Sequence, residues 1–401
     1  MKYILVSALF LISLIFAVES SAEKKEPAGP AHLRTVLSPN YIIHTDLDED
    51  LGREAAVRMT RMFEEYQRRT AGFSGEIKSR FPFFLFKNET DYYAAGGMEG
   101  SAGVFMIDDK GPRLMAIAGE KPDIWTWHVV QHEGFHQFAH AVIRGEIPPW
   151  INEGLAEYFG EAVFTGDAFV SGVIPPDRLR RIKTEINESK FLTIKAMMNL
   201  SHQAWNHKLL AENYDQAWAM IHFLAFGEDG KYQKPFIRLM NLISDGKPYL
   251  DAWREVFGND DAAFQKRFEK WWLELPKDPT RVSYDRAIVL TLTSFLARAN
   301  AQKQTFDNLD DFIHTAKTGQ LKCADDDYLP PSLLKAALRQ PATFDSVKLV
   351  NNKGQLPFIV AITHDGKQLT TAFTLMGGKV RTVTVAQSLA PILPASVVNR
   401  K

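Results

Sequence analysis

The segment His132-Glu133-Gly134-Phe135-His136 has the residue types and the spacing of a catalytic metal site. On a helix, residues four apart project from one face a single turn apart, so the two imidazoles can close on one zinc ion at about 2.0 to 2.1 Å. Glu133 sits about 100° round the helix and so approaches a water on the metal, where a general base belongs. His128, His132, His136 and His140 together fall at i, i+4, i+8 and i+12, and a buried stripe of satisfied core histidines has the same pattern. Only the middle pair has a glutamate after its first histidine. His128 and His140 are expected to pack or hydrogen-bond beside it, because catalytic zinc takes three protein ligands and leaves a fourth position open.

The third ligand must then come from another segment. Glu153 lies in Trp150-Ile151-Asn152-Glu153-Gly154-Leu155-Ala156-Glu157-Tyr158-Phe159, framed by aromatic and aliphatic residues. A carboxylate buried in such a frame needs a partner, and the metal is the nearest candidate. Glu157, one turn further on the same face, either accepts a hydrogen bond from a ligand histidine and fixes its tautomer or is solvated.

Two helices must position these groups. Pro122 near a first turn, Asp123 beside it and Gly145 as terminator mark a helix of five to six turns, and Pro148-Pro149 starts a second, shorter one. Upstream, two short strands flank Ser38-Pro39-Asn40, and a helix over Glu49–Thr70 has Asp48 as its N-cap. Phe81–Phe86 reads as a buried strand, with Pro82 placing it at a strand start or a sheet edge. A short helix over 90–95 and strands over 103–107 and 113–119 follow, and the chain is then mainly helical to Trp272. Leu275-Pro276-Lys277-Asp278-Pro279 marks a boundary. Helical periodicity resumes over 283–301 and 309–315. Past Pro341, four alternating strands (344–350, 356–363, 368–375, 380–386) are separated by glycine-bearing turns, which predicts a small antiparallel meander.

The 401 residues include 47 basic and 48 acidic side chains, a formal charge of -1, with no long basic run, so nucleic-acid binding is not expected. The composition, 45% hydrophobic and 24% charged, is that of a globular protein. A single cysteine, Cys323, excludes an intrachain disulfide and a multi-thiolate metal site. Lys2, the apolar run Tyr3–Val18 and the small residues ending at Ala22 read as a secretory signal cleaved after Ala22, which predicts a secreted or periplasmic product without stable membrane insertion.

The His-Glu-x-x-His helix followed by Trp150-Ile151-Asn152-Glu153-Gly154-Leu155-Ala156-Glu157-Tyr158 resembles the zinc signature of gluzincin metallopeptidases. In the aminopeptidase-N-like group a Trp-Leu-Asn-Glu-Gly segment supplies the glutamate ligand, at an interval two residues longer than here. The chain is more similar still to the peptidase-MA-like family of exported bacterial proteins, in which an opening like Ser38-Pro39-Asn40-Tyr41-Ile42-Ile43-His44-Thr45-Asp46 precedes a helix and the zinc motif. The resemblance covers about residues 35 to 275. It implies a zincin-like catalytic domain over residues 23–277, with a small mixed sheet and a helical lower part; with the helical segment (278–340) and the β meander (341–401), which the periodicity and turns alone predict, the expected fold class is α+β. It also implies Zn2+ held by His132, His136 and Glu153, and a peptide or protein substrate.

Asn213-Tyr214-Asp215-Gln216-Ala217-Trp218 is similar to the gluzincin helix whose leading tyrosine stabilises the tetrahedral intermediate, so Tyr214 is the expected oxyanion donor, ahead of Tyr158. Gly96-Gly97-Met98-Glu99-Gly100 departs from the aminopeptidase Gly-x-Met-Glu-Asn strand at Gly100. Amine recognition by Glu99, and with it aminopeptidase specificity, is therefore not expected. The competing readings are a zincin-derived binding module or scaffold without turnover, and a plain core of histidines.

Overall fold

In a computed structural model of the chain, residues 32–386 are described, apart from 74, 78, 144, 209 and 340–343. The expected signal segment and its cleavage point after Ala22 lie outside the described residues.

An antiparallel pair, β1 (Arg34–Leu37) and β2 (Tyr41–Thr45), turns at Ser38-Pro39-Asn40. α1 (Glu49–Arg69) begins where the Asp48 carboxylate accepts the Leu51 N–H at 2.8 Å; it is acidic in its first turn and basic in its last, as the helix dipole favours. It buries Ala55, Met59, Met62, Phe63 and Tyr66. β3 (Phe81–Phe86), α2 (Glu89–Ala94), β4 (Gly103–Asp108) and β5 (Gly111–Ile117) complete a mixed sheet in the order β1-β2-β3-β5-β4. β3 is parallel to both β2 and β5, so it is central and not an edge. Pro82 is accommodated at the start of this strand because pairing with β5 begins only at Phe83. β4 is left as an edge.

α3 (Ile124–Val142) packs on β4, β5 and α1. Asp123 is its N-cap rather than a first-turn residue. The carboxylate accepts the Thr126 N–H at 2.9 Å, while the Asp123 N–H donates to Thr126 Oγ1 at 3.3 Å. Gly145 is not the terminator, since the helix stops at Val142. A Cβ there would collide with the Ile243 carbonyl oxygen, so this glycine permits two backbones to approach.

α4 (Pro149–Gly160) starts on Pro149 and is buried along its whole length. The mainly helical tract that follows is interrupted by a hairpin of β6 (Val163–Phe164) and β7 (Phe169–Val170), whose two-residue strands are too short to show alternation. Then come α5 (Pro176–Asn187), α6 (Ile194–Met198), α7 (His202–Lys208) and α8 (Ala211–Gly230). α9 (Gln233–Ser244), α10 (Tyr249–Phe257) and α11 (Asp261–Glu274) close this part. α4 is wedged between α3 and α8, where a Cβ on Gly154 would stand 2.5 Å from the Ala217 carbonyl oxygen.

α12 (Arg281–Ala301) is followed by α13 (Leu309–Lys317) and by α14 (Pro331–Ala337), which periodicity did not predict. β8 (Phe344–Val350), β9 (Phe358–Thr363), β10 (Gln368–Met376) and β11 (Lys379–Val385) form the expected antiparallel meander. α12 lies against it, with Thr293 Oγ1 donating to Thr371 Oγ1 at 3.0 Å. On its other side, Arg298 donates to both Asp167 carboxylate oxygens, at 2.9 and 3.0 Å. One apolar cluster runs continuously from Tyr41 to Val385. The architecture is mixed α+β, with fourteen helices among the described residues; none of these is long and apolar enough to cross a membrane.

Candidate metal centre

The helical spacing brings His132 and His136 together as expected, with their Nε2 atoms 3.1 Å apart. α4 returns across α3 and sets Glu153 Oε2 3.3 Å from His132 Nε2 and 3.5 Å from His136 Nε2. The three donor atoms form a nearly equilateral triangle. Tetrahedral coordination at about 2.0 to 2.1 Å separates its donors by roughly 3.3 Å, which is the edge of this triangle, and leaves one vertex open. Glu153 Oε2 is buried and has no hydrogen-bond partner, so a cation shared with the two imidazoles would satisfy it. His132, His136 and Glu153 can therefore hold a metal ion. Imidazole nitrogen with carboxylate oxygen is a donor set that several divalent ions accept.

The surroundings favour positive charge at this point. Burial works against charging His132, but Glu153 and Glu157 outweigh it and push its pKa up to about 10. Burial likewise opposes ionisation of Glu153, and the two imidazoles overcome it, holding the carboxyl at about 2. Glu157 faces the back of the ligand: its Oε1 is 3.2 Å from His132 Nδ1 and 3.7 Å from His128 Nε2. Its Oε2 accepts from Arg178 Nη1 at 2.6 Å, and that guanidinium also reaches Glu161 at 2.9 Å and Asp215 at 2.8 Å. His128, His132 and Glu157 form a second group with metal-binding spacing, but Arg178 already supplies its cation. Glu157 stays ionised well below the usual carboxylate range, against its burial, chiefly because of Arg178.

Glu133 is buried on the neighbouring face of α3. Its Oε2 accepts the Phe105 N–H of the edge strand β4 at 2.8 Å. Burial raises its pKa, and the charge on Glu153 adds to this against the pull of both imidazoles. Tyr214, in the first turn of α8, is buried with its ring 5.2 Å from that of Trp205. Burial, then the negative charges of Glu153, Glu157 and Glu133, push its phenol up, so it is a proton donor within the field of all three carboxylates.

The remaining candidates lie outside the triangle. His128 packs with its ring 5.8 Å from Trp125, and His140 is exposed, 5.8 Å from the Phe105 ring. Tyr158 points into a different cluster, with Arg69, Glu65 and Ser171 as its neighbours. Glu99 is exposed in the loop after α2.

Three supporting groups escaped sequence reasoning. Gln131 Nε2 donates to the carbonyls of Phe159, Gly160 and Ala162 at 3.0, 2.9 and 3.2 Å, stapling α3 to the end of α4. An amide directly before His132 was its one visible signal. Arg178 and the Phe105 N–H left none, because their roles arise only when α5 and β4 pack against α3 and α4.

Residues 127–250 match a family model described as "Protein of unknown function (DUF1570)". The matched span contains His132, Glu133, His136, Glu153, Glu157 and Tyr214. No curated protein matches the chain.

Proposed function

We propose that the protein is a zinc-dependent peptidase of the gluzincin kind, with a zincin-like fold around α3 and α4, acting on peptides or proteins outside the cytoplasm. The observation that carries this reading is the triangle of His132 Nε2, His136 Nε2 and Glu153 Oε2, with sides of 3.1, 3.3 and 3.5 Å and Glu133 beside it. Zinc, when bound there, would polarise the scissile carbonyl and lower the pKa of water toward about 7. Glu157 keeps the proton of His132 on Nδ1, so that Nε2 presents its lone pair to the ion. Glu133, its basicity raised by burial, takes a proton from the attacking water and later passes it to the leaving amine. The Tyr214 phenol donates to the developing oxyanion.

A second reading, a metal-holding scaffold without turnover, draws on the depth of the site: His132, Glu133, His136 and Glu153 are each no more than 5% exposed. One variant separates the two. Glu133→Gln keeps the metal triangle, so it should retain one equivalent of zinc while hydrolysis of a mixed peptide library falls by roughly 10² to 10⁴. Zinc without any hydrolysis by the wild type selects the scaffold, and wild-type protein purified without stoichiometric metal ends both readings.

A further inference from the structure

Away from the metal triangle, α12, α13 and α14 enclose a cleft of about 660 Å³. Its floor is apolar, formed by Phe295, Leu321, Leu329, Leu334 and Leu338, and this volume suits a small organic ligand. Its rim is cationic: Lys317, Lys322, Lys335 and Arg339 all line it. No carboxylate is among the described residues that line the cleft. Arg298, on the same wall, is fully matched by Asp167 and by Asp327 at 2.9 Å, and it adds no free charge. The four rim cations have no such match, since none of their side chains makes an ion pair or hydrogen bond with a described residue. In a chain whose formal charge is -1, four unmatched cations around one apolar hollow are a local excess that the overall balance does not explain.

We propose that this cleft binds an anionic amphiphile: an acyl or alkyl chain lies on the leucine floor while its carboxylate or phosphate head meets the lysine and arginine rim. Apolar burial supplies the affinity, and the rim selects the sign of the head group. A neutral chain of the same length gains the first term only, and a short carboxylate only the second.

Cys323, the single cysteine of the chain, is exposed on the wall of the cleft and reports occupancy directly. Full-length protein is treated with iodoacetamide, and alkylation of Cys323 is followed by intact mass, with laurate, dodecyl phosphate, dodecanol, dodecyltrimethylammonium or acetate present below micellar concentrations. Isothermal titration calorimetry with laurate gives the affinity independently of the thiol. The proposal expects laurate, dodecyl phosphate or both to protect Cys323, with the stronger of the two naming the head group. Dodecanol should protect weakly, and acetate and the cationic amphiphile not at all. The double variant Lys322→Glu/Lys335→Glu changes two exposed side chains and should weaken laurate binding by roughly tenfold or more, the ratio that ~1.4 kcal/mol produces. Equal protection by dodecanol or by the cationic amphiphile overturns the proposal. So does no protection by either anionic chain, or undiminished binding by a double variant whose circular dichroism matches wild type.

Discussion

At the scale of single residues, the metal triangle is only as good as the groups that fix its imidazoles. Glu157 is the better-supported of these: it touches His132 Nδ1 on one side and Arg178 on the other. Outer partners of this kind are worth about 10- to 100-fold in metal affinity, so Glu157→Gln should raise the zinc Kd by that factor in a competitive chelator titration. Glu161→Gln is the matched control, because Glu161 also binds Arg178 but does not reach a ligand imidazole. Equal losses in the two variants would show that Arg178 burial, not His132 orientation, sets the affinity. Glu185 offers a separate test by pH. Burial, with Asp215 and Glu212 nearby, raises its folded pKa from the ordinary 4.5 to about 7. The folded state then holds this proton more tightly than the unfolded chain, so the stabilisation is complete below pH 4.5 and is lost as pH rises through 7. Glu185→Gln should therefore match wild type near pH 4 and exceed it at pH 8, by on the order of 1 kcal/mol. Urea melts at the two pH values read the difference, and a variant no more stable at pH 8 contradicts the assigned shift.

Among secondary-structure elements, α3 and α4 carry the candidate metal site, and their legibility in the sequence differed by kind of signal. Periodicity and end signals placed both helices within a few residues, and the four-residue spacing paired the histidines without any tertiary information. Asp123 and Gly145 were recognised as boundary residues but given inexact jobs: one is the cap itself, and the other serves a backbone contact with Ile243. Arg178 was illegible because its partners Glu157, Glu161 and Asp215 sit on α4, beyond its end and on α8, and only packing unites them. Pro82 left a strand start and a sheet edge open, and the register of β5, which begins at Phe83, makes it a strand start. The α4–α8 crossing gives the sharpest test of this scale. Gly154→Val would drive side-chain atoms into the Ala217 carbonyl, with backbone on both sides unable to yield, and should cost at least about 2 kcal/mol. Thermal unfolding checks this, and the variant should lose bound metal as Glu153 is displaced. Full stability would mean that the two helices separate more easily than their contact implies.

Across the whole molecule, α3 and α4 and the carboxy-terminal meander share one apolar cluster, with α12 between them. The meander was legible in its glycine-bearing turns, whereas its attachment was not. The attachment is made by groups far apart in the chain. Thr280 Oγ1 accepts the Ile174 N–H at 2.8 Å, and Arg298 reaches back to Asp167. That clasp has a practical corollary for expression. A gene fragment stopping at Glu274, where the proline-rich break invites a cut, would remove α12, with it the cover of the β6–β7 hairpin, and leave Asp167 with only Arg61, 3.9 Å away. Such a fragment should be recovered from inclusion bodies rather than from the lysate supernatant, and a soluble, monomeric product would show that the arginine latch is dispensable.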